Sequence, residues 1–138
     1  MTVFKNAIRC MAGNPAVTTM SGAKEAEIGP PVEYGGRPDT LNPEELFVAS
    51  INSCLMLVFY HFAHKSGVAI ESYEADAKGT VEKTRNGLRF TKVSVQAQVK
   101  TQATDGTGTL QELAELAEKF CLVSNSVSCP VSYTVGTA

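Results

Sequence analysis

The sequence predicts an α+β fold in which an antiparallel sheet packs on one long, buried central helix. Three observations carry that expectation. Stretches of β-branched or alternating residues occupy both ends and the middle of the chain, two helix starts are marked by capping residues, and residues 46–63 are apolar around nearly a whole helical circumference. The elements fall in the order β-β-β-α-β-β-α-β, without internal repeat. A chain of 138 residues that is 43% hydrophobic can bury a core without cross-links, and 1–138 is read as a single domain.

Val3 to Met11 and Ala16 to Met20 read as two strands separated by the turn Gly13-Asn14-Pro15, with a third short strand near Glu25 to Ile28. Gly29-Pro30-Pro31 and Gly35-Gly36-Arg37-Pro38-Asp39 are too rich in Gly and Pro for regular structure, and read as a loop over the surface or over a site. Asn42-Pro43-Glu44-Glu45 then starts a helix: Asn42 caps, Pro43 suits the first helical position and Glu45 closes a capping box. The helix is expected to run to about Lys65 and to end at Gly67. A helix that is apolar all round must be covered all round. One small sheet covers one side, so the pattern itself predicts a second subunit on the other, in an intertwined homodimer.

Tyr73 to Val81 alternates as a strand, and Thr84-Arg85-Asn86-Gly87 turns it into a second one, Leu88 to Lys100. There the apolar phase shifts between Phe90 and Val93, which predicts a bulge. Thr101 to Gly108 reads as a polar loop. Thr109-Leu110-Gln111-Glu112 reads as a second capping box, opening a helix with the apolar stripe Leu110, Leu113, Leu116, Ala117 and Phe120 that ends at or just beyond Cys121. Val127 to Val135 is the last expected strand.

A formal charge of -2 with no basic cluster offers nothing to grip phosphates, which argues against nucleic acid and anionic membrane as partners. The longest unbroken apolar run, Cys54 to Tyr60, falls far short of the ~20 residues needed to cross a bilayer. Charges scattered through the first nine residues do not fit a signal peptide, and the expected location is cytoplasmic.

The chemistry on offer is sulfur. Four cysteines, at 10, 54, 121 and 129, are an even number, but a domain of this composition in a reducing compartment neither needs nor keeps a disulfide framework. There is no CxxC pair, and His61 and His64 lack a third ligand at usable spacing, so a zinc site finds no support. Buried inert thiols and reactive thiols both remain open on position alone. Cys54 lies on the central helix, and Cys121 just before the polar turn Ser124-Asn125-Ser126.

Asn42-Pro43-Glu44-Glu45-Leu46-Phe47, then Cys54 eight residues after Leu46, then Cys121-Leu122-Val123-Ser124-Asn125 ahead of the last strand, resembles the superfamily of osmotically inducible protein C and organic hydroperoxide resistance protein (OsmC/Ohr). The likeness runs from about Tyr34 to Val135, with Leu122 where the superfamily often has proline. It implies an OsmC-like intertwined homodimer that reduces organic hydroperoxides to alcohols at the expense of a dithiol, either a small molecule or a lipoylated protein. No metal or organic cofactor is implied. By position Cys54 would be the peroxidatic thiol, Cys121 the resolving thiol, and Glu44 the carboxylate that orients an arginine.

In the resemblance that arginine comes from the segment ahead of the central helix, where Arg37 is the expected residue and Arg9 the other candidate. Ten helical residues, ~15 Å of rise, separate Glu44 from Cys54, so either Glu44 reaches Cys54 of a partner subunit or a bend in the helix intervenes. Cys10 and Cys129 read as core or edge residues. Leu46, Phe47, Met56, Tyr60 and Phe62 read first as core, and second as a lining for a hydrocarbon body. The alternative to a peroxidase is a non-catalytic module on the same dimeric fold, sensing redox state or binding an apolar ligand.

Overall fold

Strands Ala7–Arg9 (β1), Ala16–Met20 (β2) and Lys24–Ile28 (β3) form an antiparallel sheet in the order β1-β2-β3. The computed structural model describes residues 1–22, 24–102 and 106–138, with nothing said of the side chains of 106–108. These residues fall into two units, Met1–Phe47 and Val48–Ala138. β1 is shorter than the apolar stretch Val3 to Met11 suggests, because β2 pairs with it only through Val17 to Thr19. The Gly- and Pro-rich segment after β3 folds on itself. Tyr34 and Gly36 both donate backbone N–H bonds to the Pro31 carbonyl around a single 3₁₀ turn, Val32–Tyr34, and Leu41 returns to bond the Glu27 carbonyl.

Helix α1 spans Pro43–Lys65. Its start is the expected capping box: Asn42 Oδ1 accepts the Glu45 N–H at 2.7 Å, and Asn42 Nδ2 donates back to Glu45 Oε1. At its end, Gly67 takes φ 70°, while Val68 N–H reaches the Ala63 carbonyl at 2.8 Å. A left-handed residue there is what closes the last turn.

In the second unit, Ile70–Thr84 (β4) and Gly87–Thr101 (β5) form a long hairpin. Thr80 pairs with Lys92 and Val81 with Phe90, so Thr91 is the extra residue that shifts the apolar phase, as the sequence predicts. Its hydroxyl bonds the Thr80 carbonyl and Glu82 Oε1. Helix α2 (Gly106–Phe120) crosses over to β6 (Val131–Thr137), which joins β5 in parallel from Val93↔Val131 to Val99↔Thr137.

The second sheet, β4-β5-β6, is therefore mixed where an antiparallel one was expected. The reason is the crossover: a helix between two neighbouring strands returns the chain to its starting end, and the strands run the same way. α2 begins three residues before Thr109, so the Thr109 capping pattern lies inside the helix. Helical structure there rests on burial of Leu110, Leu113, Ala114 and Ala117, which outweighs local propensity. Of the expected loop Thr101 to Gly108, residues 103–105 lie outside the described residues. The last strand starts at Val131, later than expected, because Ser124–Ser126 forms a 3₁₀ turn.

The core of this unit is one face of β5 (Val93, Val95, Ala97, Val99), the α2 stripe, and Ile51, Leu55, Phe59 and Ala63 on α1. Val48 and Phe59 fix α1 on the sheet. A Cβ on Gly79 of β4 would lie 2.6 Å from Val48 Cγ2, and the Phe59 ring meets Tyr73 and Tyr133 at 5.7 and 6.5 Å. By length and composition α1 could also cross a membrane, although its unbroken apolar run is short, but its buried stripe is applied to the sheet. The rest of its circumference is open in the single chain: Leu57 is 63% and Tyr60 38% exposed.

Candidate active site

Cys54 stands in the fourth turn of α1, between the core positions Ile51 and Leu55, and is only partly covered. Cys121 is the first residue after α2 and is fully buried. The structure brings the two together: the Cys121 thiol is near enough to Cys54 to disfavour its ionisation, and both are reduced. The α1–α2 contact that allows this continues in the Phe62 and Phe120 rings, 5.5 Å apart.

The turn after Cys121 faces both sulfurs. Ser124 N–H donates to Cys121 Sγ at 3.5 Å, and the backbone N–H groups of Val123 and Leu122 are near enough to Cys54 to favour its thiolate. Burial is the largest influence on Cys54 and pushes its thiol above the ordinary value. The Val123 N–H opposes that shift, the Cys121 thiol adds to it by hydrogen bond and charge, and the Leu122 N–H opposes it again. Chemically, this is a partly open sulfur able to meet a small oxidant, backed by a sealed sulfur that can condense with it.

Behind the pair, Tyr133 of β6 and Tyr73 of β4 share a hydroxyl–hydroxyl bond of 2.6 Å. Burial, above all, raises both phenols. The negative forms of Cys121 and Glu118 raise Tyr133 further, which places its hydroxyl within their electrostatic reach. Sequence reading picked out neither the tyrosine pair nor the N–H donors. The only visible signal was the polar turn Ser124-Asn125-Ser126, and a backbone donor has no letter of its own.

The other candidates lie in the first unit. Glu44 lines a groove of about 440 Å³ with Ile8, Ala16, Ile28, Pro30, Pro31, Tyr34 and Pro43, and its Oε1 is buried without a hydrogen-bond partner. Arg37 is bound by Asp39 through Nε at 3.0 Å and Nη2 at 2.6 Å, with Glu27 at 3.6 Å from Nη1. That bidentate clamp raises the guanidinium and lowers the Asp39 carboxyl. Arg9 is an exposed partner of Glu25 at 3.8 Å. Cys10 is exposed rather than core, since β1 stops at Arg9, and Cys129 is half-buried just before β6. Among the described residues no group of three or more His, Cys, Asp and Glu could hold a metal.

The α+β fold thus sets a partly open thiol on one helix beside a sealed thiol at the end of another. The family described as OsmC-like protein matches residues 36–136, and the chain belongs to it. It is similar to an OsmC-like protein of unknown function from Vibrio cholerae, with a TM-score of 0.88 and 25% identity over 98% of this chain and 99% of that one. An organic hydroperoxide resistance protein from Elizabethkingia anophelis superposes with a TM-score of 0.79 at 21% identity, over 100% of this chain and 98% of the other. In sequence, the uncharacterized protein YmaD of Bacillus subtilis (strain 168) is 22% identical over 117 residues, 83% of this chain and 78% of that protein.

Proposed function

We propose that the chain is a thiol-dependent peroxidase that reduces organic hydroperoxides to alcohols. The observation that supports this most is the meeting of Cys54 and Cys121, one sulfur partly open and the other sealed. Family membership and structural neighbours named for organic hydroperoxide resistance point the same way. The Cys54 thiolate attacks one oxygen of the O–O bond, which breaks; the alkoxide leaves and takes a proton to become the alcohol. Cys54 is then a sulfenic acid. Cys121 sulfur attacks it, the S–O bond breaks, and the Cys121 proton leaves with the hydroxide as water. An external dithiol, small or carried on a lipoylated protein, reopens the disulfide by two exchanges and is itself oxidised to a disulfide.

The reading includes a homodimer, because the open side of α1 carries Leu57 and Tyr60. Within it, Glu44 and Arg37 are the carboxylate and the cation proposed to serve Cys54 of the partner subunit, for which Arg37 must leave Asp39. The reaction needs no metal or organic cofactor, and its proposed setting is the cytoplasm.

The test is to add cumene hydroperoxide to reduced protein and count free thiols. Two are expected to disappear per chain, one in Cys121→Ser and none from this pair in Cys54→Ser. Unchanged thiols at stoichiometric peroxide sink the reading. The raised Cys54 thiol favours a second reading, a non-catalytic module that senses redox state or binds an apolar ligand; thiols that oxidise once but do not turn over with a dithiol would select it.

A further inference from the structure

Arg9 and Arg37 are occupied by carboxylates, so in the single chain the donors that reach Cys54 are backbone N–H groups of the turn after Cys121. Such donors stabilise a thiolate only if the turn keeps its shape. Val123 is held at φ −69°, ψ −48°, and Asn125 N–H bonds the Cys121 carbonyl at 3.1 Å, which closes the turn around the consecutive N–H groups of Leu122, Val123 and Ser124. Successive N–H groups of this kind form a concavity that favours negative charge. Ser124 N–H donates to Cys121 Sγ at 3.5 Å, and the Leu122 and Val123 N–H groups favour the thiolate form of Cys54 beside it.

Side chains hold the turn. Ser124 Oγ donates to the Cys121 carbonyl at 3.3 Å and Ser126 Oγ to the Leu122 carbonyl at 2.7 Å, both within the turn. Asn125 does something different: its Nδ2 donates to the Lys119 carbonyl at 2.9 Å, tying the turn to the end of α2. We infer that Asn125 is a positioning residue for the thiol pair, its carboxamide fixing the 121–126 turn on α2 so that the turn's N–H groups stay directed at the two sulfurs. Its importance for turnover rests on the peroxidase reading; its effect on the Cys54 thiolate does not.

The charged surroundings do not replace this device. The titratable group that bears on Cys54 is Cys121, which opposes its ionisation. Glu118 and Tyr133, from α2 and β6, would be of the same sign, and the Lys119 ammonium lies over the Phe120 ring at 5.5 Å from its centroid.

The test is the pH profile of Cys54 alkylation by iodoacetamide on the full chain, read on the Cys54 peptide by mass spectrometry. Asn125→Ala is expected to move the half-maximal pH upward by about half a unit to one unit, so that alkylation at pH 7 falls about three- to tenfold. Gln111→Ala, on the exposed face of α2, should leave the profile in place. A folded Asn125→Ala with an unshifted profile overturns the inference. If that variant does not fold, the amide NMR signals of Leu122 and Val123 in the unmodified chain decide: they should titrate together with Cys54, and signals that ignore its ionisation overturn it. Hydroperoxide-driven thiol loss is scored separately, so a shifted profile without thiol loss keeps the N–H device and sinks the peroxidase.

Discussion

The thiol pair and the Glu44 groove are both semi-buried sites for polar chemistry, yet they differ in what the chain supplies. Cys121 Sγ accepts an N–H from its own unit, and the influences that oppose the rise at Cys54 come from Val123 and Leu122 of the same turn. Glu44 Oε1 has no donor among the described residues, although it is buried beside apolar side chains. Leaving such an atom unsatisfied costs about 1–3 kcal/mol. The thiols come with donors from their own unit, while the carboxylate oxygen has none among the described residues.

Three substitutions test that contrast. The largest effect is expected on the thiol side, where support is tight packing: Gly79→Ala puts a carbon 2.6 Å from Val48 Cγ2 and 2.7 Å from Phe90 Cε1. Overpacking of this kind should cost roughly 1–3 kcal/mol in urea unfolding, and an unchanged midpoint would show that α1 has room to move. Next is Glu44→Met. Removing the orphaned oxygen gains more than the ~0.3–1 kcal/mol lost at the helix N-terminus. The expected result is a gain of about 1 kcal/mol with slower hydroperoxide turnover; a loss of stability would show that the carboxylate is satisfied in solution. The smallest is Arg37→Met. An exposed ion pair contributes about 0–1 kcal/mol, so stability should hardly move, and a large fall in peroxide-driven thiol loss would show that Arg37 exchanges Asp39 for the sulfur site.

Much of this was legible in the letters because local chemistry and tertiary structure agree. Asn42 and Glu45 form the box their spacing predicts, and the phase shift between Phe90 and Val93 is the Thr91 bulge. What stayed hidden depends on pairing. Nothing in Val131 to Thr137 says that the strand lies parallel to β5, because direction is set by the α2 crossover. Val3 to Asn6 look like strand but are not assigned to one, since β-propensity takes effect through a neighbouring strand. At the site, Cys54 and Cys121 were visible as residues; their meeting was implied by resemblance alone. The N–H donors beside them, and the clamp on Arg37, required coordinates.

In the proposed reaction, the unequal covering of the two sulfurs would also set the regiochemistry of the return half. Once Cys54 and Cys121 are joined, an incoming thiolate can approach only the partly open atom, because Cys121 is sealed. The mixed disulfide would therefore form on Cys54, with Cys121 as the departing sulfur, and the Ser124 N–H at 3.5 Å is placed to receive the charge that accumulates on it. A bond that looks symmetrical on paper would thus open from one side, with its leaving group already solvated by the backbone.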